Sequence, residues 1–200
     1  LLEGKASLVT SIQTFKYMML YSLIQFISVT MLMVLGSYLT DYQFLSSDLV
    51  IIFPLAFLIS RTEATDRLTH HRPTGALISV PIITSILMQT ALMFSFQLLG
   101  WYTLTFNDWY VNYCRCNEMI VYECFDNTVV FLVSNMQYLI SAIAFSISYP
   151  FKKSIFTNYL LIICLTAAFT YSAYLIVMPD EGSRHLLQLS ILPSMQYRYI

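Results

Sequence analysis

Residues 41–60 read DYQFLSSDLVIIFPLAFLIS, an apolar run preceded by a carboxylate. The run from Leu49 to Ser60 is about 18 Å long as a helix and falls short of a hydrocarbon core of about 30 Å. A helix that crosses a bilayer here must reach back through Asp48 to about Tyr42. That places a carboxylate about a third of the way into the membrane, where an unpaired charge costs at least about 2.5 kcal/mol on insertion scales. A residue retained on those terms is a candidate for function.

The remainder of the chain has the composition that a lipid solvent requires. Its 200 residues are 58% hydrophobic and 10% charged, and the mean hydropathy is +0.66, well outside the range of soluble domains. The formal net charge is -1, with 10 Lys and Arg in all. Nucleic-acid binding, which needs clustered cations, is set aside. The chain starts at Leu1 with polar and charged residues and without a signal-peptide pattern, so it is read as a piece of something longer.

Apolar windows of crossing length occur at about 17–39, 42–60, 77–100, 128–147 and 159–178. The expected fold is therefore all-α, a polytopic transmembrane bundle of about five spans. Residues 1–16 form a helical lead-in and residues 179–200 a tail whose Leu186–Leu192 run is too short to cross. Lys5 and Lys16 precede the first span, Arg61, Arg67 and Arg72 follow the second, and Lys152 and Lys153 follow the fourth. The positive-inside rule assigns these three regions to the cytosol and the tail to the other side. Trp101, Tyr102, Trp109, Tyr110 and Tyr113 cluster where the third span leaves the bilayer, as an interfacial belt does.

Asp41 and Phe44 precede Asp48 by seven and four residues. At about 100° per residue the three project within roughly 60° of one helix face. Two carboxylates with an aromatic between them suit a cation carrying several spaced amines, whereas a compact metal ion prefers converging oxygens. The structural alternative makes Asp41 an N-cap and Asp48 a partner of a neighbouring helix. Gln25, mid-span in the first helix, either binds substrate or joins helices. Pro54 removes a backbone hydrogen bond and kinks its span. Gln89, Gln97, Asn135 and Gln137 read as interhelical hydrogen-bonding groups.

Cys114, Cys116 and Cys124 share the long loop before the fourth span, where an oxidising compartment permits a disulfide; their spacing does not match the common zinc arrangements. Cys164 reads as apolar packing, and His70 and His71 as solvated. Metal ligands are not expected. No Walker-type loop, nucleophile elbow or His-Glu-x-x-His is present in the 200 residues.

The segments Glu3–Ser11, Phe15–Met18, Tyr21–Ser28, Asp41–Leu45, Asp48–Val50, Ser60–Thr62, Arg72–Pro81, Asn127–Phe131 and Gln137–Ile140 resemble, in order, the C-terminal transmembrane region of P-type ATPases of the fifth class, subgroup B, the polyamine-transporting family of late endosomes and lysosomes. The resemblance implies that the five spans are the family's fifth to ninth helices, entered from the cytosol. It implies that Gln25, Asp41, Phe44 and Asp48 hold polyamine on its way from lumen to cytosol.

The family's phosphorylated Asp-Lys-Thr-Gly-Thr segment is not in this sequence, so catalytic residues are not expected here. No cofactor is expected on this piece; ATP and Mg2+ are implied for the full-length protein. A tenth helix is expected after Met178 and is not supplied by residues 180–200. The implied partners are the bilayer, the N-terminal half of the pump and a polyamine. The alternatives are a pump for an inorganic cation, a stand-alone transporter, and a non-catalytic truncated membrane protein.

Overall fold

The computed structural model describes residues 2–65, 79–110, 124–147 and 151–190. Among these it is all-α, with five helices long and apolar enough to cross a membrane. Helix α1 spans Leu2–Leu35; its 34 residues are about 50 Å long, so a bilayer core covers only part of it. It stops at Gly36, whose φ of 83° is left-handed. The Gly36 amide donates to the Met33 carbonyl and the Ser37 amide to that of Leu32, a Schellman closure that a residue without Cβ makes at no steric cost.

The second span is a composite of α2 (Asp41–Ser46), a π-helical segment (Ser47–Ile52) and α3 (Phe53–Ser60). Thr40 is its N-cap: its hydroxyl accepts from the Gln43 amide, and the Gln43 side chain accepts from the Thr40 amide, a reciprocal capping box. Asp41 therefore lies in the first turn and is not the cap. Pro54, at the start of α3, has no amide hydrogen, and the turn before it widens so that the Phe53 amide reaches the Asp48 carbonyl, five residues back. The break read from Pro54 thus takes the form of a π segment that contains Asp48.

Helices α4 (Val80–Thr105), α5 (Phe125–Ser146) and α6 (Tyr159–Val177) follow. Helix α5 is the central one, buried along most of its length and packed against α1, α4, α6 and the π segment. The main core joins Tyr17, Leu20 and Ile24 of α1 to Ile51, Leu55 and Ile59 of the second span, Tyr138 and Phe145 of α5, and Leu161 of α6. The exposed apolar face includes Phe26, Phe53 and Phe57, as expected where the surrounding solvent is lipid.

At the end of the bundle beyond α3, an isolated bridge pairs Ala64 with Lys152, and Lys153 forms an ion pair with Glu63 at 3.0 Å. The buried Lys152 ammonium donates to the Ile59 carbonyl at 3.2 Å, a cation on the free carbonyls of a helix C-terminus. Burial holds the Lys152 ammonium below its ordinary pKa. At the opposite end a short helix α7 (Glu181–Leu187) folds the tail onto the bundle. Leu187 and Leu189 pack with Phe131, Leu132 and Leu175, and the buried Gln43 amide donates to the Leu187 carbonyl at 2.9 Å.

Candidate functional site

The Tyr21 hydroxyl donates to Asp48 Oδ1 at 2.6 Å. This contact joins α1 to the π segment of the second span. Gln25, one helical turn beyond Tyr21, approaches the same hydroxyl with its side chain. Tyr138 of α5 packs edge-on against the Tyr21 ring, with centroids 5.6 Å apart and planes at 63°. One residue before Asp48, the Ser47 hydroxyl donates to Asn135 Oδ1 at 2.8 Å, anchoring the π segment to α5. Asp48 and Gln25 are both half-buried, so the carboxylate stands at the edge of the packed bundle.

The site consists of a carboxylate, a phenol, an amide and two aromatic rings. Carboxylate oxygens not taken by Tyr21 can accept from an ammonium group, and the rings offer π-faces to a cation. Of the sequence-based candidates, Asp48 and Gln25 meet around Tyr21. Asp41 is exposed in the first turn of α2 and Phe44 is half-buried one turn before the π segment. Neither is hydrogen-bonded to Asp48 among the described residues. Ser46 and Ser47 keep α-helical dihedrals and the Ser47 amide still reaches the Gln43 carbonyl, so the backbone is α-helical up to Asp48 and the wide turn shifts the residues that follow it.

Tyr21 and Tyr138 do not stand out in the sequence, because a tyrosine in an apolar span reads as packing or as an interfacial anchor. The available signal is the four-residue spacing of Tyr21 from Gln25 on one face of α1.

A second polar group of the interior centres on the Gln97 amide nitrogen, while Gln97 Oε1 is buried without a partner. Gln97 Nε2 lies 2.7 Å from Ser28 Oγ, 3.1 Å from Ser134 Oγ and 3.2 Å from Gln137 Oε1. Both hydroxyls donate to carbonyls of their own helices, Ile24 and Val130, so the nitrogen of the Gln97 amide must face them. Gln137 in turn donates to the Met93 carbonyl at 2.8 Å.

At the opposite end of the bundle from Lys152, Trp101 Nε1 and the Tyr110 hydroxyl each donate to Asp126 Oδ1 at 3.0 Å. Burial, then the Asp126 carboxylate, raises the Tyr110 hydroxyl above its ordinary pKa. Cys124 is disulfide-bonded and accepts from the Ser37 hydroxyl at 3.1 Å. Cys114 and Cys116, like Arg67, His70, His71, Arg72 and Tyr113, lie outside the described residues. Cys164 is a free thiol.

A bundle of membrane-crossing helices in which one contains a π segment with an ionisable group is an arrangement that membrane transport proteins use. No family model matches the chain, but individual relatives do. It is 37% identical over 180 residues to the vacuolar cation-transporting ATPase YPK9 of Saccharomyces cerevisiae, a match covering 90% of this chain and 12% of that protein. It is 42% identical over 181 residues to the polyamine-transporting ATPase 13A2 of Mus musculus, covering 88% and 15%. With the polyamine-transporting ATPase 13A3 of Macaca fascicularis the identity is 32% over 213 residues, covering 96% and 17%. The chain belongs to the P-type ATPases of the fifth class, subgroup B, and corresponds to part of their C-terminal membrane region. It spans 12–17% of the length of these relatives.

Proposed function

We propose that this chain supplies part of the substrate pathway of an ATP-driven pump that moves polyamines, spermine and spermidine among them, from lumen to cytosol. The observation that carries this reading is the Asp48 carboxylate on a π segment, joined to Tyr21, whose hydroxyl Gln25 also approaches, in a chain 42% identical to a polyamine-transporting ATPase. A half-buried carboxylate beside aromatic rings suits an ammonium group on a flexible carbon chain. Phe44 and Asp41, about one and two helical turns earlier on the same span, are then positions for further methylenes and amines at the non-cytosolic approach.

The orientation that fits the positive-inside rule has residues 1–16 in the cytosol and the tail 179–200 on the far side, in a late-endosomal or lysosomal membrane. ATP and Mg2+ are handled by parts of the full-length pump outside this chain, and alternating access follows from motions transmitted along α1. The N-terminal half of the pump and lipid share the exposed face of α1 and the second span.

Asp48→Asn in the full-length pump is expected to abolish spermine-stimulated ATP hydrolysis, because the charge partner of an ammonium is lost. Unchanged stimulation would remove Asp48 from the site. A second reading, transport of an inorganic cation, draws on the yeast relative, a vacuolar cation-transporting ATPase; stimulation by a metal cation and not by spermine would favour it.

A further inference from the structure

Helix α1 carries a polar stripe that continues past the Asp48 site toward its N-terminal end. Thr14, Tyr17, Tyr21, Gln25 and Ser28 recur at intervals of three or four residues and lie within about 80° of one another around the helix axis. The upper members have partners: Ser28 in the Gln97 network and Tyr21 on Asp48. The lower members do not. The Tyr17 hydroxyl is buried and has no hydrogen-bond partner, and the Thr14 hydroxyl is buried in the same condition.

The Thr14 observation is specific. Thr10, Ser11, Ser22, Ser28 and Thr30 on the same helix all donate to the carbonyl four residues back. Thr14 forgoes that local bond. Tyr17 is 0% exposed and has Tyr21 and Cys164 as its ionisable neighbours, while Tyr138 has Tyr21, Asp48 and Tyr17 as its own. Three tyrosines therefore surround the lower side of the Asp48 site. Two orphan hydroxyls continue from it for about 10 Å of helix rise between Tyr21 and Thr14. An orphan buried hydroxyl is destabilising, and these two lie in line on the helix face that carries Tyr21 and Gln25, where a passing donor would satisfy them.

We propose that Tyr17 and Thr14 form the exit segment of the substrate pathway, accepting hydrogen bonds from an ammonium group, or from the water that travels with it, as it leaves Asp48 toward the N-terminal end of α1. This deepens the function proposed above and rests on it. The Tyr17 and Thr14 hydroxyl oxygens accept from the ammonium, the Tyr17 ring presents a π-face, and neither residue carries a charge that would trap the cation.

The test is Tyr17→Phe in the full-length pump, with Thr14→Val as the second variant and Asp48→Asn as the control. Readouts are spermine-stimulated turnover at saturating spermine and apparent melting temperature. Tyr17→Phe is expected to lower turnover about tenfold, the scale of one lost hydrogen bond to a charged group. Its melting temperature should stay level or rise, since an unpaired buried hydroxyl is removed, and Thr14→Val should act in the same direction. A purely structural Tyr17 predicts the same thermal result with turnover within about twofold of wild type, and that outcome overturns the inference. If Asp48→Asn abolishes stimulation while Tyr17→Phe and Thr14→Val leave it intact, the exit segment alone is wrong. If Asp48→Asn retains stimulation, the site reading fails and the inference with it.

Discussion

The Gln97 amide and the Asp48 carboxylate both belong to membrane-crossing helices, yet their surroundings differ in kind. Gln97 is 2% exposed, and its nitrogen faces Ser28, Ser134 and Gln137. Asp48 is half-buried at the edge of the bundle and is met by Tyr21. The first arrangement ties α1, α4 and α5 together on unbroken helices; the second sits on a π segment with acceptor capacity to spare. Under the function proposed above, intramembrane polarity has two uses in this fold, and access together with backbone regularity separates them. A group enclosed by partners joins helices, and a group left open on a broken helix is free to meet a ligand.

This contrast can be broken by measurement. The largest effect is expected from Asp48→Asn: stimulation by spermine falls by about a hundredfold or more, as for loss of a buried charge-assisted pair. Its melting temperature stays near that of wild type, because the carbonyl of the introduced amide still accepts from Tyr21. Gln97→Leu reverses the pattern. It leaves Gln137 Oε1 and two serine oxygens without their donor and is expected to destabilise the bundle by about 1–2 kcal/mol, read as a lowered apparent melting temperature. The spermine concentration for half-maximal stimulation stays unchanged. If instead Gln97→Leu weakens spermine binding while stability holds, the two regions are not separate.

Ser47→Ala removes the donor to Asn135 Oδ1 and tests whether the π segment needs its anchor; a loss of about 1 kcal/mol is expected. Thr40→Ala opens the capping box at the start of the second span and is expected to cost about 1 kcal/mol or less. Turnover by the Thr40 variant, normalised to folded protein, stays level, because the cap lies about two helical turns from Asp48.

Much of this is legible in the sequence for identifiable reasons. The five spans follow from hydropathy, which needs only local composition. Asp48 stands out because an acid interrupts an apolar run too short to cross alone, and Pro54 marks the break because it lacks an amide hydrogen. The π segment is not legible: in the uniformly apolar stretch after Asp48 no periodicity distinguishes a wide turn from an α-helical one. Tyr17 and Tyr21 escape notice because aromatic residues count as apolar whether or not their hydroxyls find partners. The pairings Ser47–Asn135 and Tyr21–Asp48 depend on how helices rotate against one another, which local sequence does not encode. Asp41 reads as an N-cap by residue type, but the Thr40–Gln43 reciprocity wins because it satisfies two backbone amides at once.

The central claim is that Asp48 is the counter-charge for a substrate ammonium. The most direct measurement is equilibrium binding of radiolabelled spermine to the purified full-length pump, wild type beside Asp48→Asn, with melting temperature as the control for folding. The predicted result is a folded variant whose spermine affinity is weaker by at least about tenfold, the equivalent of one charge-assisted hydrogen bond. A folded Asp48→Asn variant that binds spermine with wild-type affinity would contradict the account.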